Sequence, residues 1–144
     1  MTGLARKSVF GMTLAIASVF SVMTAKADDA GNLMAQAPAT AAEIWKGIDE
    51  HLLGLKSIIV SGKLGEAHLH AFAIRDLVRT LPEHSQGLSA DALATVTADV
   101  KFVDALADRL DQAGDANDKE GVESNLTKLE DILNSMRSLY GAIN

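Results

Sequence analysis

VESNLTKLEDILNSMRSLYGAI (residues 122–143) carries its apolar side chains at Val122, Leu126, Leu129, Leu133, Met136, Tyr140 and Ile143. The steps alternate between four and three residues. At about 100° per residue this puts all seven on one side of an α-helix, with Glu, Lys, Asp, Asn and Ser on the other. A helix with a single apolar stripe cannot bury it alone, so the question becomes what it packs against.

Three more segments carry the same signature. The first spans roughly 41–60, with Ile44, Ile48, Leu52, Leu55 and Ile59 in its stripe. Thr40-Ala-Ala-Glu43 forms a capping box at its start, and Gly62 is its terminator. The second spans roughly 63–81, with Leu64, Ala67, Ala71, Ile74, Leu77, Val78 and Leu81, and Pro82 stops it. Ser89 caps the third, whose stripe is Leu93, Val96, Val100, Val103, Ala107 and Leu110 and which ends near Gly114. The helix quoted above begins around Asn117 or Asp118. None of the four shows the two-residue alternation of strands. Short connections make sequential helices antiparallel neighbours, so the expected fold is all-α, an up-down-up-down antiparallel four-helix bundle over residues 41–144. Three long helices with a detached first helix is the rival arrangement.

Upstream of the bundle, MTGLARKSVFGMTLAIASVFSVMTAKADD has a basic start at Arg6 and Lys7 and an apolar run from Val9 to Met23. The small-x-small pattern Ala25-Lys-Ala27 follows. The run falls short of the roughly 20 apolar residues that span a bilayer, which favours a signal peptide over residues 1–27 cleaved after Ala27. An uncleaved anchor is the alternative. Residues 28–40 read as a flexible leader, and the expected location is the periplasm of a Gram-negative cell, without stable membrane insertion after cleavage.

The whole chain carries a formal charge of −6, and loss of Arg6, Lys7 and Lys26 with the leader would take the remainder to −9. Nucleic acids and anionic lipid surfaces demand clustered Lys and Arg, so neither is an expected partner. The chain has no cysteine, which excludes thiol catalysis, cysteine-ligated zinc, iron–sulfur clusters and covalently attached haem. Asp115–Gly121 has the acidity of a calcium loop but not its spacing: loop positions 5, 6 and 12 would be Lys119, Glu120 and Leu126. These acids are expected to serve as helix caps. Nucleophile-elbow, phosphate-loop and HExxH patterns are absent, so no enzymatic activity is expected.

The chemistry rests on histidines. The four are His51, His68, His70 and His84. His51 lies within the first helix's stripe, between Ile48 and Leu55. Counting from Ile74 on the second helix, His70 falls at about −40° and His68 at about +120°, so His70 faces inward and His68 sits at the edge. His84 is in the loop after Pro82. On the third helix Asp99 lies about −40° from Val103, an expensive place for an unpaired carboxylate. Folding the first two helices about Ser61–Gly62 sets His51 opposite Phe72, with His70 roughly 3 Å away along the axis. Folding the next pair about Ser85–Gln86 sets His70 opposite Lys101, two residues from Asp99.

His51, His70 and Asp99, with His68 beside them, therefore form the expected site, and imidazoles with one carboxylate suit Zn²⁺, Cu²⁺ or Ni²⁺. A buried His–Asp hydrogen-bonded network is the metal-free alternative. Haem bound without a covalent link is a third, disfavoured because the last helix has no histidine. Met136 stands in a stripe and is expected in the core, and Trp45 and Phe72 are expected at helix edges. Should Leu69 and Phe72 be exposed together, the second helix would offer a face to an envelope protein partner.

The segment GEAHLHAFAIRDL (residues 65–77) is similar to one in small periplasmic, histidine-bearing four-helix-bundle proteins associated with heavy-metal efflux systems. That resemblance implies a periplasmic protein that holds or buffers a divalent transition metal.

Overall fold

Thr40 opens the first helix as the capping box requires: its hydroxyl accepts from the Glu43 amide at 3.2 Å, and the Glu43 carboxylate accepts from the Thr40 amide at 3.1 Å. The structure, a computed structural model, describes residues 40–141. The expected signal peptide and, apart from Thr40, the leader lie outside the described residues, as does Ile143. The helices are α1 (Ala41–Ser61), α2 (Ala67–Thr80), α3 (Ala90–Asp115) and α4 (Lys119–Gly141). No strand occurs among the described residues. No helix among them is long and apolar enough to cross a membrane.

The turns have clear local causes. After α1, Gly62 takes φ 72°, the Lys63 amide reaches the Ile58 carbonyl and the Gly62 amide reaches Ile59. After α3, Asn117 takes φ 52°, with the Asp118 amide on the Ala113 carbonyl and the Asn117 amide on that of Gly114. Both are Schellman closures, one using glycine and the other asparagine, the non-glycine residue that best tolerates a left-handed conformation. Ser89 caps α3 by accepting from the Ala92 amide. Asp118 accepts from the Gly121 amide and caps α4, so this acid does serve as a cap. The second helix differs from expectation. Leu64–Glu66 form a separate 3₁₀ turn before α2, and Leu81–His84, with Pro82 in second place, form another after it.

Antiparallel order is visible in the pairs that bridge neighbours. His51 meets His70 between α1 and α2, and Arg79 meets Asp104 between α2 and α3. Asp49 meets Arg137, and Lys56 meets Glu130, between α1 and α4. The four helices thus form an up-down-up-down antiparallel bundle. The stripes meet inside it: Ile44, Ile48, Leu55, Ile74, Val78, Val96, Val103, Leu110, Leu129, Leu133 and Met136 are fully buried. Each such side chain contributes about 1.5–3 kcal/mol through removal from water.

The stripe of α1 is rotated slightly from its expected course. Ile58 and Trp45 are buried, whereas Leu52 and Ile59 are only partly so. Trp45 at 8% exposure is therefore a core residue and not the edge residue its position suggested. Phe72 is half-buried, with Arg75 stacked over its ring at 4.3 Å.

Candidate functional site

His51 and His70 come together. Their Nδ1 atoms are 3.0 Å apart, with ring centroids 5.3 Å apart and planes inclined at 53°. Both residues are half-buried, on the seam where α1 and α2 pack. This is the contact expected from folding the helices about Gly62. Two neutral imidazoles at this separation share one proton: one Nδ1–H donates and the other Nδ1 accepts. Protonating both would set two positive charges against each other. The pKa of His51 is accordingly lowered, first by burial and then by the His70 charge, with Glu50 pulling the other way.

Gly54 makes the pairing possible. A Cβ at this position would overlap the His70 ring, so the ring lies directly on the backbone of α1 one turn after His51. Gly47, two turns earlier, receives Leu77 in a similar way, a Cβ there meeting Leu77 Cδ1 at 3.0 Å. Glycine inside a helix costs about 1 kcal/mol relative to alanine. In α1 that cost is offset by the close approach of α2.

Asp99 is not part of this cluster. Arg79 pairs with Asp104 and Arg75 with Asp108. Five residues further along the two helices, His70 stands opposite Ala113, and not opposite Lys101. Packing of Gly114 against Leu64 and Ala67 sets the same register. Asp99 is thus fourteen residues, about 21 Å, along α3 from the level of His70. The displacement has a definite source. The chain between Thr80 and Ala90 is not a tight turn; its 3₁₀ turn and the following five residues carry it along the axis before α3 begins. Asp99 is half-buried, and burial raises its pKa.

His68 also stands apart from the pair. Its Nδ1 donates to the Gly65 carbonyl at 2.9 Å, closing the 3₁₀ turn at the start of α2, and its ring lies 6.4 Å from that of Phe72. His84 is half-buried in the α2–α3 connection. Among the described residues, no group of three or more His, Asp or Glu side chains is gathered so as to hold a metal ion. The chain brings two nitrogens to one point.

Those two nitrogens could share a metal only after their rings turn, since in the hydrogen-bonded pair the Nδ1–H of one ring points at the Nδ1 of the other and not at a common third point. With metal–nitrogen bonds of about 2.0–2.1 Å, donors 3.0 Å apart would subtend roughly 91–97° at the ion. That is a cis pair in a square-planar or octahedral shell, which suits Cu²⁺ or Ni²⁺. Tetrahedral Zn²⁺ needs the nitrogens to open to about 3.3–3.4 Å. The same Nδ1 atoms that share a proton are those that would share a metal.

Comparison of the chain with family models, with curated proteins and with solved structures gives no match.

Two features were not picked out from sequence. Gly54 had a signal available, as a glycine inside a helix and one turn from a histidine. The second is the clustering of Trp45, Arg137 and Tyr140 where α1 begins and α4 ends. Its signal was that the chain's one tryptophan and one tyrosine sit near the adjacent ends of antiparallel helices.

Proposed function

We propose that this chain is an exported, periplasmic helical-bundle protein that holds or buffers a divalent transition-metal ion through His51 and His70. The observation that carries this reading is the Nδ1–Nδ1 separation of 3.0 Å over Gly54. Copper(II) and nickel(II) fit the cis geometry better than zinc. With two protein ligands the remaining positions belong to water, which suits exchange and buffering more than permanent retention. Asp99 and His68 have no part in this site.

Metal titration by calorimetry tests the reading. The expected result is one equivalent of Cu²⁺ or Ni²⁺ per chain, lost in His51→Ala and in His70→Ala and retained in Asp99→Asn and His68→Gln. Binding to the folded state also raises the melting temperature, by an amount that grows with free metal. Absence of uptake, or uptake indifferent to both histidines, refutes the site.

A second reading, a metal-free interaction module docking an envelope partner, draws on exposed apolar side chains. Leu53, Val60, Leu69 and Phe102 are 58–88% exposed. Under that reading the histidine pair is a structural hydrogen bond, and the double variant His51→Ala/His70→Ala retains partner capture from envelope extract.

A further inference from the structure

At the end of the bundle where α1 begins and α4 finishes, the helices and the α2–α3 connection enclose a cleft of about 440 Å³. This is within the range of small-molecule sites, roughly 300–1,000 Å³. It lies six residues, about 9 Å, along α1 from His51 and shares no residue with the histidine pair. Its space exists because Ala41, Ala42, Gly87 and Gly141 form part of its wall. Trp45 and Tyr140, packed edge to face with centroids 5.7 Å apart, supply its aromatic side.

The polar atoms of the cleft are unbalanced. The Arg137 guanidinium lies over the Trp45 ring at 4.7 Å, and Nη2 donates to Asp49. Among the described residues, its buried Nε–H meets no acceptor, and neither does the buried Trp45 indole N–H. The Arg137 side chain is nevertheless 42% exposed, so part of the guanidinium is reachable from solvent. The hydroxyls are already committed: Tyr140 donates to Ser85 at 2.6 Å, and Ser85 donates to the Leu81 carbonyl. Burial raises the pKa of Tyr140, so it keeps that proton. Among the described residues no carboxylate or amide side chain lines the cleft, in a chain with 19 acidic residues.

We propose that this cleft binds a small organic carboxylate with a flat apolar body, the carboxylate accepting from the solvent-exposed N–H groups of Arg137 and the body lying against Trp45 and Tyr140. Planar bidentate recognition of a carboxylate is what a guanidinium does best. Asp49, holding the guanidinium by Nη2, fixes its plane.

Trp45 is the only tryptophan, so its fluorescence reports on this site directly. The experiment titrates the full-length protein, in the presence of EDTA, with benzoate, with its neutral isostere benzamide and with acetate. Expected is a saturable fluorescence change with benzoate, and binding weaker by about tenfold or more for benzamide, which loses the charged acceptor, and for acetate, which loses the apolar body buried against the rings. Arg137→Gln brings benzoate down to the benzamide level. Ala42→Leu, a change at an exposed wall position, fills the cleft while leaving Arg137 in place and abolishes the response, which keeps the test available if Arg137→Gln does not fold. His51→Ala/His70→Ala binds benzoate normally, so failure here and failure of the metal site are separately visible. The proposal is overturned by the lack of any saturable response up to about 10 mM benzoate, where even a millimolar site would be filled. Equal affinity for benzoate and benzamide, or benzoate binding unchanged in Ala42→Leu, overturns it as well.

Discussion

A glycine and an aspartate carry the sharpest residue-scale consequences. In Gly54→Ala the new methyl displaces the His70 ring, while the helix gains about 1 kcal/mol of intrinsic propensity. The two effects are similar in size, so the variant is expected to fold with a stability within about 1 kcal/mol of the parent and to lose metal uptake. Calorimetry of unfolding and of Cu²⁺ binding on the same sample checks both halves. Retained uptake would mean that the pair does not need its seat on α1. Asp99 is partly buried, and that burial raises its pKa from the ordinary 3.8. A group whose folded pKa is raised favours the fold fully below pH 3.8, and that contribution is lost as the pH climbs through the folded value. At neutral pH the ionised carboxylate is a cost. Asp99→Asn is therefore expected to raise the melting temperature at pH 7 by about one or two degrees and to bring no gain near pH 3. A drop at pH 7 would show that Asp99 has a favourable partner.

Elements show where sequence reasoning reaches and where it stops. Thr40, Gly62, Ser89 and Asp118 were legible because a cap is a local device: the residue and its partner lie within five positions. His51 and His70 were legible for the same reason, since Gly62 closes a short turn and the register of α1 on α2 follows from counting outward. Asp99 was not. Its level depends on the stretch from Thr80 to Ser89, whose path along the axis is set by packing of Leu81 and Ser85, both buried, and no local rule gives that distance. The burial of Trp45 was hidden likewise, because it depends on Tyr140 and Arg137 arriving from the far end of the chain. The α3–α4 turn makes a prediction at this scale. Asn117→Ala leaves the Schellman hydrogen bonds possible but forces an alanine to φ 52°. The expected loss is about 1 kcal/mol, the usual cost of a left-handed conformation for such a residue, measured by denaturant titration. Asn117→Gly should recover it, and an alanine variant as stable as the parent would show that the turn relaxes freely.

On the scale of the whole molecule, the bundle is not held equally on all sides. α3 packs along both α2 and α4 and buries Val96, Val103, Leu106, Ala107, Leu110, Ala113 and Gly114. α1 leans chiefly on α2 and touches α4 sparsely, with Trp45 against Tyr140 and Arg137 and two ion pairs, Lys56–Glu130 and Asp49–Arg137, among its contacts. All four charged side chains of these pairs are 30–53% exposed, so each pair contributes about 0–1 kcal/mol. The seam between α1 and α4 is therefore the weakest closure in the bundle, and the proposed carboxylate cleft opens beside it. Local opening should begin there, because free energies of opening follow the density of buried apolar contact. Native-state hydrogen exchange is expected to find the slowest amides in α3 between Val103 and Ala113, and measurably faster ones in the first two turns of α1. Benzoate bound against Trp45 would slow those first turns and leave α3 unchanged, since a ligand stabilises only the openings that release it. Exchange from the start of α1 as slow as from the middle of α3 would mean that the bundle opens only as a unit, and that its thin seam is stronger than its contacts imply.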